Sequence, residues 1–171
     1  STVPSLLSYD PAFGYELAII VREGLRRMYV DQEDIFYYLT LYNENYLMPD
    51  MADVLARGAL TQDQLVQGVL DGGYCFDPAQ SEADIHLLAS GSILQQAIRA
   101  KAELQALGYE VSLWSMTSYV ELQRDAFAVA AANRQNPQAP AQVSKVEAMF
   151  DDASGAIIAV TDYMASLAQG I

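Results

Sequence analysis

Two short stretches carry the residues whose types and spacing could do chemistry in this 171-residue chain. In the first, an apolar run ends in three neighbouring polar residues and a tyrosine, namely Asn43, Glu44, Asn45 and Tyr46. Side chains of this kind can hydrogen-bond a polar ligand, or they can satisfy the backbone of a turn. The sequence leaves both roles open at this point.

The second stretch is the run of small residues Ser90, Gly91 and Ser92, which lies between a predicted strand and a predicted helix. Free N–H groups at a helix N-terminus can hold a phosphate or a carboxylate. We expect a tight turn with a serine cap here, and anion binding is the alternative.

The remaining reactive residue types favour structural roles. Cys75 is flanked by Asp71 and Asp77, which do not favour a thiolate, so we predict an inert packing residue. His86 is the single histidine and lies inside a predicted strand, so it cannot build a metal cluster. The carboxylates Asp151, Asp152 and Asp162 fit solvated or helix-capping positions. We therefore assign no catalytic residue and no metal site to this chain.

Composition narrows the class of protein. Hydrophobic residues make up 52% of the chain and charged residues 18%, which is typical of a globular protein. The formal net charge of −13 disfavours nucleic acid and anionic membranes as partners. We see no apolar run of the roughly 18 residues that a membrane helix needs and no signal-peptide pattern. A single cysteine fits a cytoplasmic location, which we predict.

The elements that must position these residues follow from the hydrophobic pattern. A helix is expected to begin at Asp10-Pro11. The apolar run over 34–42 predicts a strand buried on both faces. Residues 51–83 are weakly patterned and predict a connector with one short helix, capped by Thr61 and ended by Gly72-Gly73.

After residue 84, strands and helices alternate. Strands are predicted over 84–90, 109–117 and 155–162, with a helix ending at Gly108 and another capped by Ser118. This order predicts an α/β lobe built on a parallel sheet with right-handed crossovers. The predicted division is therefore 1–50, 51–83 and 84–171.

Five sequence segments occur in the order "SYDPAFGYE", "NENYLMP", "LLASGSIL", "VSLWSMTSYVELQRDAF" and "AVTDYM". Together they resemble the homodimeric type of the thiamine-diphosphate-dependent decarboxylating component of the pyruvate dehydrogenase complex. That resemblance implies parts of two transketolase-like domains. Residues 1–50 resemble the end of the pyrimidine-binding domain, and residues 84–171 resemble a truncated C-terminal domain.

The resemblance also implies what the parent enzyme does. It would decarboxylate pyruvate oxidatively, using thiamine diphosphate and Mg²⁺, and pass the acetyl group to the lipoyl-lysine of the dihydrolipoyl acetyltransferase. The cofactor-binding motifs of that family lie outside this chain, so the fragment alone is expected to be inactive and to bind no cofactor. Asn43, Glu44, Asn45 and Tyr46 would border the substrate channel or the homodimer interface.

Other functions stay open from the sequence. The parent could act on a related 2-oxo acid such as 2-oxobutyrate, or this chain could be one subunit of a split enzyme. A non-catalytic α/β module that binds a partner or a small anion is the third possibility. We also expect exposed apolar surface over 35–41, and hence an oligomer, a poorly stable chain or a place in a larger assembly.

Overall fold

The computed structural model describes residues 3–58 and 60–171, and these residues form two sheets. The first sheet pairs β1, Leu6–Tyr9, in parallel with β2, Phe36–Leu39. Helix α1, Gly14–Leu25, and a π-helical turn, Arg26–Val30, connect the two strands. The mixed α/β architecture that the sequence predicts is confirmed.

Helix α1 begins later than the predicted start at Asp10-Pro11. Asp10 does not cap the helix, because its Oδ1 accepts a hydrogen bond from the Tyr42 hydroxyl. Glu16 takes over part of the cap, since its carboxylate accepts the backbone N–H groups of Ala12 and Phe13. A carboxylate in the first turn is also favoured by the helix dipole.

Strand β2 is shorter and more exposed than predicted. We expected a strand over 34–42 that is buried on both faces, but β2 covers four residues whose exposure alternates. Phe36 and Tyr38 are 51% and 60% exposed, whereas Tyr37 lies against Gly24 of helix α1. Helix α1 covers the face that carries Tyr37, whereas Phe36 and Tyr38 lie on the other, more exposed face. The exposed side chains agree with the apolar surface expected over 35–41.

The second sheet has the order β3-β5-β4-β6. Its strands β4, Ile85–Ala89, β5, Val111–Ser115, and β6, Ala156–Val160, run parallel, as the sequence predicts. Strand β3, Tyr74–Asp77, is an antiparallel edge strand that the sequence did not reveal. It comes from the segment predicted as a connector, so the second sheet recruits residues from before 84.

Helices cover this sheet and fill the connector. They are α2, Met51–Gly58; α3, Gln62–Asp71; α4, Leu94–Ala106; α5, Tyr119–Gln135; α6, Lys145–Phe150; and α7, Ala165–Ala168. The predicted caps of α3 and α5 are confirmed, because Thr61 and Ser118 accept backbone N–H groups of the first turn. Asp162 does not cap α7, since Met164 holds that position.

One core joins the two sheets. Phe13 and Ile20 belong to the first lobe, which is formed by the first sheet and helix α1. They pack in the same buried cluster as Leu65, Leu94 and Leu113 of the second lobe, which is formed by the second sheet and its helices. A smaller cluster lies beneath helix α5. Edge strand β6 contributes little to either cluster, and its Ile157 and Ile158 side chains are exposed. Within 3–58 and 60–171, no helix is long and apolar enough to cross a membrane.

Candidate functional site at the junction of the two sheets

The carboxyl ends of strands from both sheets meet at one place. Asp10 directly follows β1, and Ser90 directly follows β4. The backbone joins them, because the Gly91 N–H donates to the Asp10 carbonyl over 3.2 Å and the Asp10 N–H donates to the Thr117 carbonyl over 2.7 Å. Ligands of doubly wound α/β proteins bind beyond the carboxyl ends of strands, so this junction is the candidate site.

The polar cluster that follows β2 faces solvent. Asn43, Glu44 and Asn45 are exposed in a segment without regular secondary structure, and their side chains make no hydrogen bond to the residues that the structure describes. Tyr46 behaves differently, since its hydroxyl donates to the Ala12 carbonyl over 2.5 Å and its ring meets Phe13 edge-on. Tyr46 therefore anchors the segment and leaves the three polar side chains free to meet another surface. Their role at a channel or an interface stays a prediction.

The turn proposed as an anion site is closed by the chain itself. Gly91 has φ 51°, a left-handed conformation that favours glycine, and the Tyr42 ring lies directly against it. Its N–H is already used by the Asp10 carbonyl, and the buried Ser90 and Ser92 flank it. The tight-turn interpretation is thus favoured over anion binding. The predicted serine cap is wrong, because the Ser90 side chain makes no cap hydrogen bond.

Asp10 carries the negative charge at the junction. Burial raises the pKa of its carboxyl group, and the nearby Ser90 and Tyr42 hydroxyls oppose that rise. The Tyr42 hydroxyl donates to Asp10 Oδ1 over 2.8 Å and lies 3.3 Å from the Tyr163 hydroxyl. Burial is the main cause of a raised pKa for Tyr42, and its hydrogen bonds to Tyr163 and Asp10 raise the pKa further. Tyr42 therefore stays a neutral hydrogen-bond donor.

Glu16 is the residue that the sequence analysis missed. Its side chain is fully buried, and its carboxylate accepts four hydrogen bonds. Oε2 receives the N–H groups of Ala12 and Phe13 over 2.6 and 3.1 Å. Oε1 receives the hydroxyls of Tyr74 and Ser115, each over 2.7 Å. A lone acidic residue inside the apolar run "AFGYELAII" was the signal that could have revealed it.

Glu16 ties the two lobes together. It lies on α1 of the first lobe, whereas Tyr74 lies on β3 and Ser115 on β5 of the second sheet. Burial raises the pKa of Glu16, and its four hydrogen-bond donors act in the opposite direction. The Tyr74 hydroxyl also bonds to that of Tyr15. The network fixes the turn at residues 10–13 that carries Asp10 to the junction.

Cys75 and His86 lie away from this junction and have structural surroundings. Burial raises the pKa of the Cys75 thiol to about 11, which disfavours the reactive thiolate. The His86 ring lies 2.9 Å from the Ser154 carbonyl through Nε2 and accepts the Trp114 indole N–H at Nδ1 over 3.2 Å. Across the described part of the chain, no group of three His, Cys, Asp or Glu side chains is arranged to hold a metal ion.

Comparison with known proteins divides the chain at about the same place as the two sheets. Residues 1–49 match the model of the pyruvate dehydrogenase E1 component middle domain, and residues 72–171 match the transketolase-like C-terminal domain. The second match begins just before β3, in agreement with the pairing of that strand with β5.

Curated relatives match the whole chain. A pyruvate dehydrogenase E1 component from Pseudomonas aeruginosa is 40% identical over 100% of this chain and 19% of its own length. The protein of the same name from Escherichia coli K12 is 37% identical over 99% of this chain and 18% of its own. This chain thus spans about a fifth of the length of the curated relatives it matches.

Solved structures agree on the fold. A transketolase mutant from Pichia stipitis superposes with a TM-score of 0.52 at 17% identity, covering 94% of this chain and 21% of that one. Similarity at this level of identity concerns the fold alone.

Proposed function

This chain belongs to the transketolase-like family, and on that premise we propose that it forms part of a pyruvate dehydrogenase E1 component. The supporting observation is the match along its entire length to proteins of that name, at 37–40% identity in several bacteria. In this proposal the protein decarboxylates pyruvate oxidatively in the cytoplasm. It transfers the acetyl group to the lipoyl-lysine of a dihydrolipoyl acetyltransferase.

Thiamine diphosphate supplies the stabilised carbanion that such a decarboxylation needs. We propose no site for its diphosphate and Mg²⁺ in this chain, and among the described residues no group of three His, Cys, Asp or Glu side chains is arranged to hold a metal ion. We therefore assign no chemical step to this chain. The cofactor ligands belong, in this proposal, to other parts of the protein.

The contribution of this chain is to join two domains in a fixed arrangement. Residues 1–50 complete the pyrimidine-binding domain, residues 51–83 connect it, and residues 84–171 with strand β3 begin the C-terminal domain. The Glu16 carboxylate of α1, with its hydroxyl donors on β3 and β5, supports this role. A shared core that includes Phe13 and Leu113 supports it as well.

The solvent-facing side chains of Asn43, Glu44 and Asn45 are proposed to meet the substrate channel or the second subunit of a homodimer. The anchoring of Tyr46 to Ala12 supports this proposal, because it holds the segment in place while its polar side chains stay unpaired with the described residues. The exposed apolar surface of β2, which includes Tyr38, lies in the same part of the chain and favours an interface.

The test uses the purified protein that contains this chain, supplied with thiamine diphosphate and Mg²⁺. We expect pyruvate-dependent reduction of an artificial electron acceptor, with a higher kcat/KM for pyruvate than for 2-oxobutyrate. The reverse preference would assign the protein to a related 2-oxo acid. No turnover of either substrate, despite bound cofactor, would contradict the proposed reaction.

A second experiment tests the polar segment. If the segment borders the substrate channel, the double variant Asn43→Ala/Glu44→Ala should lower kcat/KM by about tenfold, which corresponds to the loss of one hydrogen bond to a charged group. If it lies at the homodimer interface, the variant should instead weaken the dimer, as measured by analytical ultracentrifugation. Glu82→Ala is the matched control, since Glu82 is exposed and far along the chain from this segment. Unchanged kinetics together with an unchanged dimer would remove any special role for Asn43 and Glu44.

A further inference from the structure

A cleft opens at the junction, next to the carboxyl ends of β1 and β2 and the start of α5. Its volume is about 250 Å³, enough for a ligand of a few heavy atoms. Four tyrosine rings, Tyr9, Tyr38, Tyr119 and Tyr163, line it together with Asp10. Neither the family matches nor the proposed reaction accounts for it.

Two polar atoms at this cleft are buried without partners. The Tyr119 side chain is only 4% exposed, and its hydroxyl has no hydrogen-bond partner among the described residues. Asp10 Oδ2 likewise accepts no hydrogen bond from them, although Oδ1 does. Buried polar atoms of folded proteins are normally paired, so both atoms are available to a group that binds in the cleft.

The charge of the cleft selects the kind of ligand. Its lining residues include the Asp10 carboxylate but no lysine, arginine or histidine. Asp162 lies close enough to act on Asp10 and adds negative potential. Anions such as 2-oxo acids and phosphates are therefore disfavoured. A cation is favoured, and aromatic rings around a carboxylate are the surroundings in which proteins recognise organic ammonium groups.

We propose that this cleft binds a small organic ammonium ion, with the cationic nitrogen held by Asp10 Oδ2 and Tyr119 among the tyrosine rings. An ammonium N–H donates to Oδ2 and to the Tyr119 hydroxyl oxygen, which provides partners for both buried atoms. Because the charge of the cleft disfavours an anionic 2-oxo acid, the ammonium site in this proposal is not the site of the pyruvate reaction. If no ammonium ion binds this cleft, the proposed pyruvate reaction is unaffected. If the protein does not decarboxylate pyruvate, the proposed ammonium site is likewise unaffected.

The test is calorimetric titration of the purified protein at constant ionic strength. The probes are methylammonium, tetramethylammonium and the uncharged tert-butanol, which resembles tetramethylammonium in shape. We expect saturable binding of both cations and binding of tert-butanol that is weaker by about tenfold or more. Equal binding of tert-butanol, or no saturable binding of either cation, would overturn the proposal.

Two variants locate the site. Asp10→Asn keeps an acceptor for Tyr42 but removes the charge, and it should weaken both cations by about tenfold or more. Tyr119→Phe should weaken methylammonium, which donates hydrogen bonds, but not tetramethylammonium, which donates none. Asp152→Asn, an exposed aspartate of a turn, is the matched control and should change neither affinity. Cation binding of unchanged affinity in Asp10→Asn would place the site elsewhere and overturn the proposal. If Asp10→Asn does not fold, the preference of the unsubstituted protein for the cations over tert-butanol tests the proposal.

Discussion

Replacing Glu16 by alanine is the perturbation that bears most directly on how the two lobes are held together. The substitution removes one acceptor group from four donors at once: two backbone N–H groups and the hydroxyls of Tyr74 and Ser115. The N–H groups of Ala12 and Phe13 cannot turn toward another acceptor. The two hydroxyls can rotate, and Tyr74 already has Tyr15 as a neighbour.

The magnitude follows from these contacts. Each buried donor left without a partner costs about 1–3 kcal/mol, so two N–H groups with one hydroxyl cost about 3–9 kcal/mol together. The buried γ-methylene of Glu16 adds about 1 kcal/mol. Removing the energetic cost of a buried carboxylate offsets part of this sum, because burial disfavours its charged form. We therefore expect Glu16→Ala to lower the free energy of unfolding by about 4 kcal/mol.

Urea denaturation followed by circular dichroism measures this change, and an unaltered slope would show that the surface exposed on unfolding is unchanged. Glu16→Gln keeps an oxygen for the two N–H groups and should cost about half as much, which gives a second value if the alanine variant fails to fold. Glu82→Ala, on the surface, should change the free energy of unfolding by less than about 0.5 kcal/mol. A Glu16→Ala variant within about 1 kcal/mol of the parent would refute the structural role assigned to the carboxylate.

Three further predictions follow from local geometry. The pKa of about 11 leaves little of the Cys75 thiol as reactive thiolate at pH 8. Cys75 should therefore react with Ellman's reagent roughly 100-fold more slowly in the native protein than in urea. Equal rates would contradict its burial. Gly91→Ala should cost about 2 kcal/mol or more of unfolding free energy, because it strains a positive φ and meets a tyrosine ring. Gly108→Ala, with positive φ but open space, should cost less, and equal losses would disprove the steric part. Hydrogen bonds from Ser144 lower the pKa of Glu147 at the start of helix α6. The ionised Glu147 therefore stabilises the fold above the pKa that it has in the unfolded chain, and this contribution is lost as the pH falls through its pKa in the folded protein. An NMR titration should find the Glu147 midpoint below 4.5, and Ser144→Ala should raise it.

The parts of the fold that local interactions determine were predicted from the sequence. Ser118 caps α5 through a bond to a residue three positions away, and Gly108 ends α4 in the left-handed conformation that glycine favours. The parallel strands β4, β5 and β6 follow from alternating strand and helix patterns. Each of these features is encoded within a window of a few residues.

Features that depend on distant residues were not predicted. The hydroxyl donors to Glu16 lie 58 and 99 positions along the chain, at Tyr74 and Ser115, so the apolar run around Glu16 does not reveal which partners its carboxylate meets. Strand β3 has only four residues and pairs as an antiparallel edge, which leaves no periodic signal. The prediction that β2 is buried on both faces was wrong for a related reason, since an apolar run does not reveal which of its faces another element covers.

The most direct test of the proposed function is acetylation of a lipoyl domain. The purified protein that contains this chain would be incubated with pyruvate, thiamine diphosphate, Mg²⁺ and a lipoylated domain of a dihydrolipoyl acetyltransferase, and the domain would be weighed by mass spectrometry. Our account predicts that the lipoyl domain gains one acetyl group only when pyruvate is present. A lipoyl domain of unchanged mass, in the presence of protein that has bound its cofactor, would contradict it.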